Sequence, residues 1–179
     1  VAVNFSPQEL QDPQLPERLR WTLDRFQLVP SRLTVEVLES VVAGDGDAVI
    51  VSNIGRIAAM GCGVDLDDFG TGNASITAIR RFALNRLKID RSFVHEVDQN
   101  REQQKLVTAI LSLAERLGLE TLAEGVETQA EHALLAQLGC GHVQGYTIAR
   151  PMPVEDLVPW LAAHSERRAQ ALRIGLKAR

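Results

Sequence analysis

Short runs of β-branched and apolar residues alternate along the chain with longer stretches whose apolar positions recur every three or four residues. The order, strand then helix, repeats. Six strands are predicted: Val1–Phe5, Leu33–Val37, Gly63–Asp67, Arg86–Asp90, Glu120–Ala123 and His142–Gly145. The intervals between them are long enough to hold crossover helices, which makes the strands parallel. Leu19, Leu23 and Phe26 suggest one helix. Ile50, Ile54 and Ile57 suggest another between Asp47 and Met60, after a turn at Gly44-Asp45-Gly46. Leu106, Ile110, Leu113 and Leu117 form a stripe that closes at Gly118. Thr128 and Glu131 form a capping box that opens a helix with Ala130, Leu134 and Leu138 on its apolar face and Gly139 at its end. Pro151 and Pro153 mark an exposed turn. A last helix holds Leu157, Trp160 and Leu161, and Pro159 either kinks it or starts a new one.

Nearly every predicted strand ends in a polar residue: Asn4, Glu36, Asp67 with Asp68, Lys88 with Asp90, Glu124 with Glu127, and Gln144. Strands buried on both faces should be apolar throughout, so this recurrence marks a shared functional edge. A single acid at a strand end is most simply a helix cap, but capping would select Ser and Thr as often. In an open sheet, six strands about 4.8 Å apart would spread these groups over roughly 24 Å, too far to surround one small ligand. A closed barrel gathers them at one mouth. The expected fold is therefore an α/β TIM-type (β/α)₈ barrel lacking roughly its first two βα units, with Val1 opening the third strand.

Length and composition fit that reading. A chain of 179 residues, 45% hydrophobic and 23% charged, suits one globular domain with no run long enough to span a membrane. Residues 1–164 are expected to form the truncated barrel and 165–179 a basic helical extension or tail. In that tail Arg167, Arg168, Arg173, Lys177 and Arg179 face only Glu166, so the net charge of −4 leaves about −8 on the body. An acidic body argues against a nucleic-acid polymer as partner. Cys62 and Cys140 read as small buried residues of a reducing, cytoplasmic protein, and no signal peptide is visible.

The side chains at the strand ends are oxygen donors without neighbouring Cys or His, a set suited to Mg²⁺ or Mn²⁺. Adjacent Asp67 and Asp68 can both face the mouth if the strand ends there, with Gly70 and Gly72 supplying the turn. Such a pair could flank two ions, an arrangement suited to phosphodiester cleavage. Lys88 could add a fixed positive charge. It could also be the nucleophile of a Schiff-base aldolase, although a lysine among several acids should stay protonated. Asp65 shares a strand face with Asp67 and is expected to pair with a basic group inside the barrel.

Four ordered motifs carry a resemblance: Asp67-Asp68-Phe69-Gly70-Thr71-Gly72, Leu87-Lys88-Ile89-Asp90, Ala123-Glu124-Gly125-Val126-Glu127-Thr128 and Gln144-Gly145-Tyr146. With the Asn4-Phe5-Ser6 opening and the Arg150-Pro151 turn, the chain resembles EAL-domain cyclic di-GMP phosphodiesterases from Val1 to about Leu161. The resemblance implies hydrolysis of cyclic di-GMP to linear pGpG with two Mg²⁺ or Mn²⁺ ions. It makes Asn4, Glu36 and Asp67 ligands of one metal, and Asp67, Asp68 and Glu124 ligands of the second. Glu124 would also be the general base, and Lys88 would orient the attacking water or balance charge. Glu127 and Gln144 would shape the site, Glu39 would steady the loop after Asp68, and Asp90 belongs to the motif. It further implies a homodimer and other signalling domains on the parent chain, which could tether it to a membrane. The name-giving Glu-Ala-Leu ligand lies upstream of the Asn4 position in that family and is not among these residues. Leu38 stands where the family usually has Thr, and Asn73 where it has Tyr. A non-catalytic cyclic di-GMP receptor is the alternative.

Overall fold

A computed structural model of the chain describes residues 1–44 and 47–177, with side chains described as far as Arg167. Asp45 and Gly46 of the expected turn lie outside the described residues, as do Arg179 and the side chains of Arg168, Arg173 and Lys177.

Six parallel strands lie side by side in chain order: β1 (Ala2–Asn4), β2 (Thr34–Leu38), β3 (Gly63–Phe69), β4 (Arg86–Ile89), β5 (Glu120–Ala123) and β6 (His142–Val143). Each neighbouring pair is parallel. Helices cross between them. α1 (Pro7–Leu10) and α2 (Leu15–Arg25) follow β1, and α3 (Glu39–Ala43) and α4 (Ala48–Ala59) follow β2. α5 (Ile76–Ile79) follows β3, α6 (Arg91–Val94) and α7 (Arg101–Leu117) follow β4, and α8 (Gln129–Leu138) follows β5. Sequential parallel order with one crossover per step is the wall of a (β/α) barrel, here with six of the eight strands. The described residues fall into two compact units, one from Val1 to Ile148 and one beginning at Ala149. The second is built on α9 (Val154–Lys177), which runs unbroken past the boundary expected after His164 and through Pro159, whose missing N–H removes one helical bond. On it the rings of Trp160 and His164, one turn apart, stack with centroids 4.8 Å apart.

The strands are not apolar throughout, as expected for sheets covered on both faces; they alternate. Val35 and Val37, Val64 and Leu66, and Leu87 and Ile89 are fully buried on one face, beneath the helices. The intervening positions put Glu36, Asp65, Asp67, Arg86 and Lys88 on the other face. The register stacks these into two charged layers. In the lower, Asp65 lies opposite Arg86 and Arg86 opposite Glu120. Arg86 bonds Glu120 at 2.7 Å and approaches Asp65, only 4% exposed, at 3.5 Å, which is the cationic partner expected for that aspartate.

The helices differ from the expected stripes by about one position. In α7 the deeply buried ridge is Val107, Leu111 and Ala114, while Ile110, Leu113 and Leu117 flank it and Leu106 is exposed. In α8 the buried side chains are Glu131 and Leu135; Leu134 and Leu138 are half-buried and Ala130 is exposed. Both helices end, as the sequence indicates, on a left-handed glycine, Gly118 and Gly139.

Candidate active site

The upper charged layer lies at the C-terminal ends of the strands, where β/α barrels carry their chemistry. Lys88 on β4 is its centre. Its ammonium lies 2.7 Å from Glu36 on β2, 2.8 Å from Asp67 on β3 and 2.9 Å from Glu124 just beyond β5. Burial opposes the charge on Lys88, but hydrogen bonds to Asp67, Glu36 and Glu124 outweigh it and hold its pKa well above the ordinary lysine value. A lysine so held favours its charged form, which counts against the Schiff-base reading, since that needs a neutral amine.

Asp67, Asp68 and Glu124 each offer a carboxylate oxygen, and these atoms all lie within 4.8 Å of one another. The two aspartates reach the same mouth by a route the sequence did not suggest. β3 does not end at Asp67 but continues to Phe69, and its pairing with β4 gains one residue between Leu66 and Phe69. This bulge places Asp68 at a left-handed φ of 54°, which turns its side chain away from the alternation. Burial, then the charges of Asp67 and Asp90, raise the pKa of Asp68; burial raises that of Glu124 against the opposing pull of Lys88. Crowded, partly buried carboxylates of this kind are relieved by a hard cation, and oxygen donors alone suit Mg²⁺ or Mn²⁺ chemistry.

The remaining expected residues are placed less uniformly. Asn4 is exposed at the end of β1, directly opposite Glu36 in the strand register. Asp90 is the N-cap of α6, accepting from the Ser92 amide at 2.9 Å. Glu127 and Gln144 have exposed side chains. The backbone of Gln144 nonetheless braces the Glu124 loop, donating to Ala123 at 2.8 Å and accepting from Val126 at 3.0 Å.

Glu39, the first residue of α3, is 3% exposed and accepts the amides of Gly70, Gly72 and Ala74 at 2.8 to 2.9 Å. It thereby holds the segment that follows Asp68. By sequence Glu131 belongs only to a capping box, but the same carboxylate also accepts from the amide of Glu96 at 2.9 Å. The Thr128-x-x-Glu131 spacing was visible; the bond to a residue 35 positions away was not.

The bifunctional diguanylate cyclase/cyclic di-GMP phosphodiesterase MucR of Pseudomonas aeruginosa is 40% identical over 162 residues, 90% of this chain and 24% of the relative. The cyclic di-GMP phosphodiesterase RocR of the same species is 32% identical over 160 residues, 89% of this chain and 41% of the relative. The chain thus spans less than half the length of either. The solved cyclic di-GMP complex of the MucR phosphodiesterase superposes with a TM-score of 0.81 at 40% identity, covering 87% of this chain and 63% of that one. The EAL domain of Mycobacterium smegmatis DcpA gives 0.84 at 31% identity, covering 91% and 73%. Since the EAL domain family model matches residues 1–151, taking in every strand and every acid of the barrel mouth, this chain belongs to the EAL domain family.

Proposed function

We propose that this domain hydrolyses one phosphodiester of cyclic di-GMP to give linear pGpG. The observation that carries the reading is the convergence of Asp67, Asp68 and Glu124 within 4.8 Å beside the ammonium of Lys88, at the barrel mouth. Relatives named as cyclic di-GMP phosphodiesterases support it.

The oxygen-only donor set suits Mg²⁺ or Mn²⁺: Asp67, Asp68 and Glu124 would hold one ion, and Asn4, Glu36 and Asp67 would hold a second. When bound, such ions offset phosphate charge and acidify a water. Glu124 takes the proton of the attacking water, and its burial favours that uptake. The water oxygen bonds to phosphorus, the P–O bond to the ribose 3′ oxygen breaks, and that oxygen leaves with a proton drawn from solvent. Lys88, anchored by three carboxylates, balances their charge or orients the water. Glu127 and Gln144 shape the substrate pocket, Asp90 sets the segment after β4, and Glu39 steadies the segment after Asp68. A homodimer and further signalling domains on the parent chain belong to the same reading.

The test is incubation with cyclic di-GMP and Mg²⁺ or Mn²⁺, resolving pGpG by chromatography. It is run on this chain and on the natural polypeptide that carries this sequence. Turnover abolished by Glu124→Ala is the expected result. Tight binding of cyclic di-GMP without turnover by either form would make the domain a receptor.

A further inference from the structure

Glu131 carries more hydrogen bonds than a capping box requires. A capping box needs its carboxylate to reach only the N-cap amide, here Thr128. Glu131 Oε2 accepts from Thr128 at 2.9 Å and from Glu127 at 2.8 Å, and Oε1 accepts from Glu96 at 2.9 Å. Glu131 is 1% exposed. Burial opposes its charge, but the amides of Glu96, Thr128 and Glu127 prevail and keep its pKa below the usual carboxylate range. The pattern repeats that of Glu39, in which one oxygen takes two amides and the other takes one. In each case a buried glutamate in a helix's first turn grips the loop behind a strand end that carries site acids.

The loop gripped by Glu131 is the one that bears Glu124. It leaves β5 at Glu124, turns at Gly125 with φ 67°, and is braced at Val126 by Gln144 and Thr147. Glu131 fixes its far end. Through Glu96, which has a left-handed φ of 57°, it also ties this loop to the segment after β4. Arg91 of that segment lies so close to Gly125 that an added Cβ would sit 2.6 Å from the Arg91 Cβ. The two loops flanking Lys88 and Glu124 are therefore locked to each other through one carboxylate.

We propose that Glu131 is a positioning residue for Glu124, a three-amide clamp that joins the β4 and β5 loops and sets the angle at which Glu124 meets Asp67, Asp68 and a bound cation. The inference rests on the phosphodiesterase reading for its kinetic consequence but not for its geometry.

The test compares Glu131→Gln and Glu131→Ala with Leu135→Ala, a substitution on the same helix that removes core packing without touching the clamp. All are made in the natural polypeptide that carries this sequence. For both Glu131 variants, kcat for cyclic di-GMP and the affinity for Mn²⁺ measured by calorimetry are expected to fall about tenfold or more, the usual cost of losing a residue that orients a ligand. KM should change far less than kcat. Exchange of the Glu96, Glu127 and Thr128 amides should quicken selectively. Leu135→Ala, chosen for an equal loss of Tm, should leave Mn²⁺ affinity and kcat of the folded protein unchanged. The proposal is overturned if Glu131→Gln retains wild-type kcat and Mn²⁺ affinity, or if its exchange accelerates uniformly as in Leu135→Ala. If the wild-type protein turns over no cyclic di-GMP, the activity reading alone fails, and Mn²⁺ affinity with amide exchange decides the clamp.

Discussion

Lys88 on β4 and Glu124, just beyond the neighbouring β5, meet at 2.9 Å, and the same ammonium neutralises Glu36 and Asp67. One cation therefore holds three partly buried carboxylates together. Lys88→Met should leave them facing one another uncompensated, and breaking a buried pair from one side costs about 3–5 kcal/mol. The expected outcome is a large drop in Tm at neutral pH that Mn²⁺ partly restores, read by calorimetry with and without the metal. The wild type carries the complementary signature. Because the folded pKa of Lys88 is raised, its contribution is intact below the unfolded lysine value of about 10.4 and is lost as pH climbs towards the folded one.

Asp65 gives a pH dependence of the opposite kind from an ordinary surface acid. Burial raises its pKa more than Arg86 lowers it. A carboxyl raised on folding favours the folded state below its unfolded pKa of about 3.9 and loses that advantage as pH rises through the folded value. Asp65→Asn removes the titration while Arg86 keeps Glu120 at 2.7 Å. Measured against this variant, the wild-type Tm should fall as pH rises from about 3 towards neutrality. A gap that widens in favour of the wild type over that range would contradict the burial argument.

Glu39 should be needed for the order of the loop behind Asp68. Its carboxylate satisfies three amides, at Gly70, Gly72 and Ala74, and Glu39→Ala leaves them without that partner. Hydrogen bonds to a charged group contribute about 1.5–3 kcal/mol each, and the three share one loss, so destabilisation of about 3 kcal/mol is expected. Denaturant unfolding measures it. Amide exchange confined to residues 70–74 would separate loop release from general loosening.

Much of this architecture is legible in the sequence, and the exceptions share a cause. The six strands are legible because each is a short run, mostly apolar or β-branched, set between helical stretches, and Gly118 and Gly139 mark helix ends by local rules alone. Asp67, Lys88 and Glu124 stood out because a barrel collects strand ends. The bulge at Asp68 was hidden because it arises from pairing with β4, not from the Asp67-Asp68 dipeptide itself. In α7 two interleaved apolar rows were available, and packing of the helix against β4 and β5 selected Val107 and Leu111 over Leu106. The bond from Glu131 to Glu96 is likewise a property of the assembled barrel.

Gly70 and Phe93 supply the last test, because a close approach between two loops leaves no space for a side chain. A Cβ at Gly70 would lie 2.5 Å from Phe93 Cε2, and its φ of 102° is unfavourable for any residue but glycine. Gly70→Ala therefore combines a steric clash with backbone strain, which by itself costs about 1–3 kcal/mol. Phe93→Leu removes only the clash. In a double-mutant cycle, Phe93→Leu should destabilise the wild type by loss of ring packing yet recover part of the stability lost in Gly70→Ala. Full recovery would mean that the left-handed backbone carries no cost. Simple additivity of the two losses would mean that the loops move apart on substitution, so that the turn behind Asp68 is not held against α6.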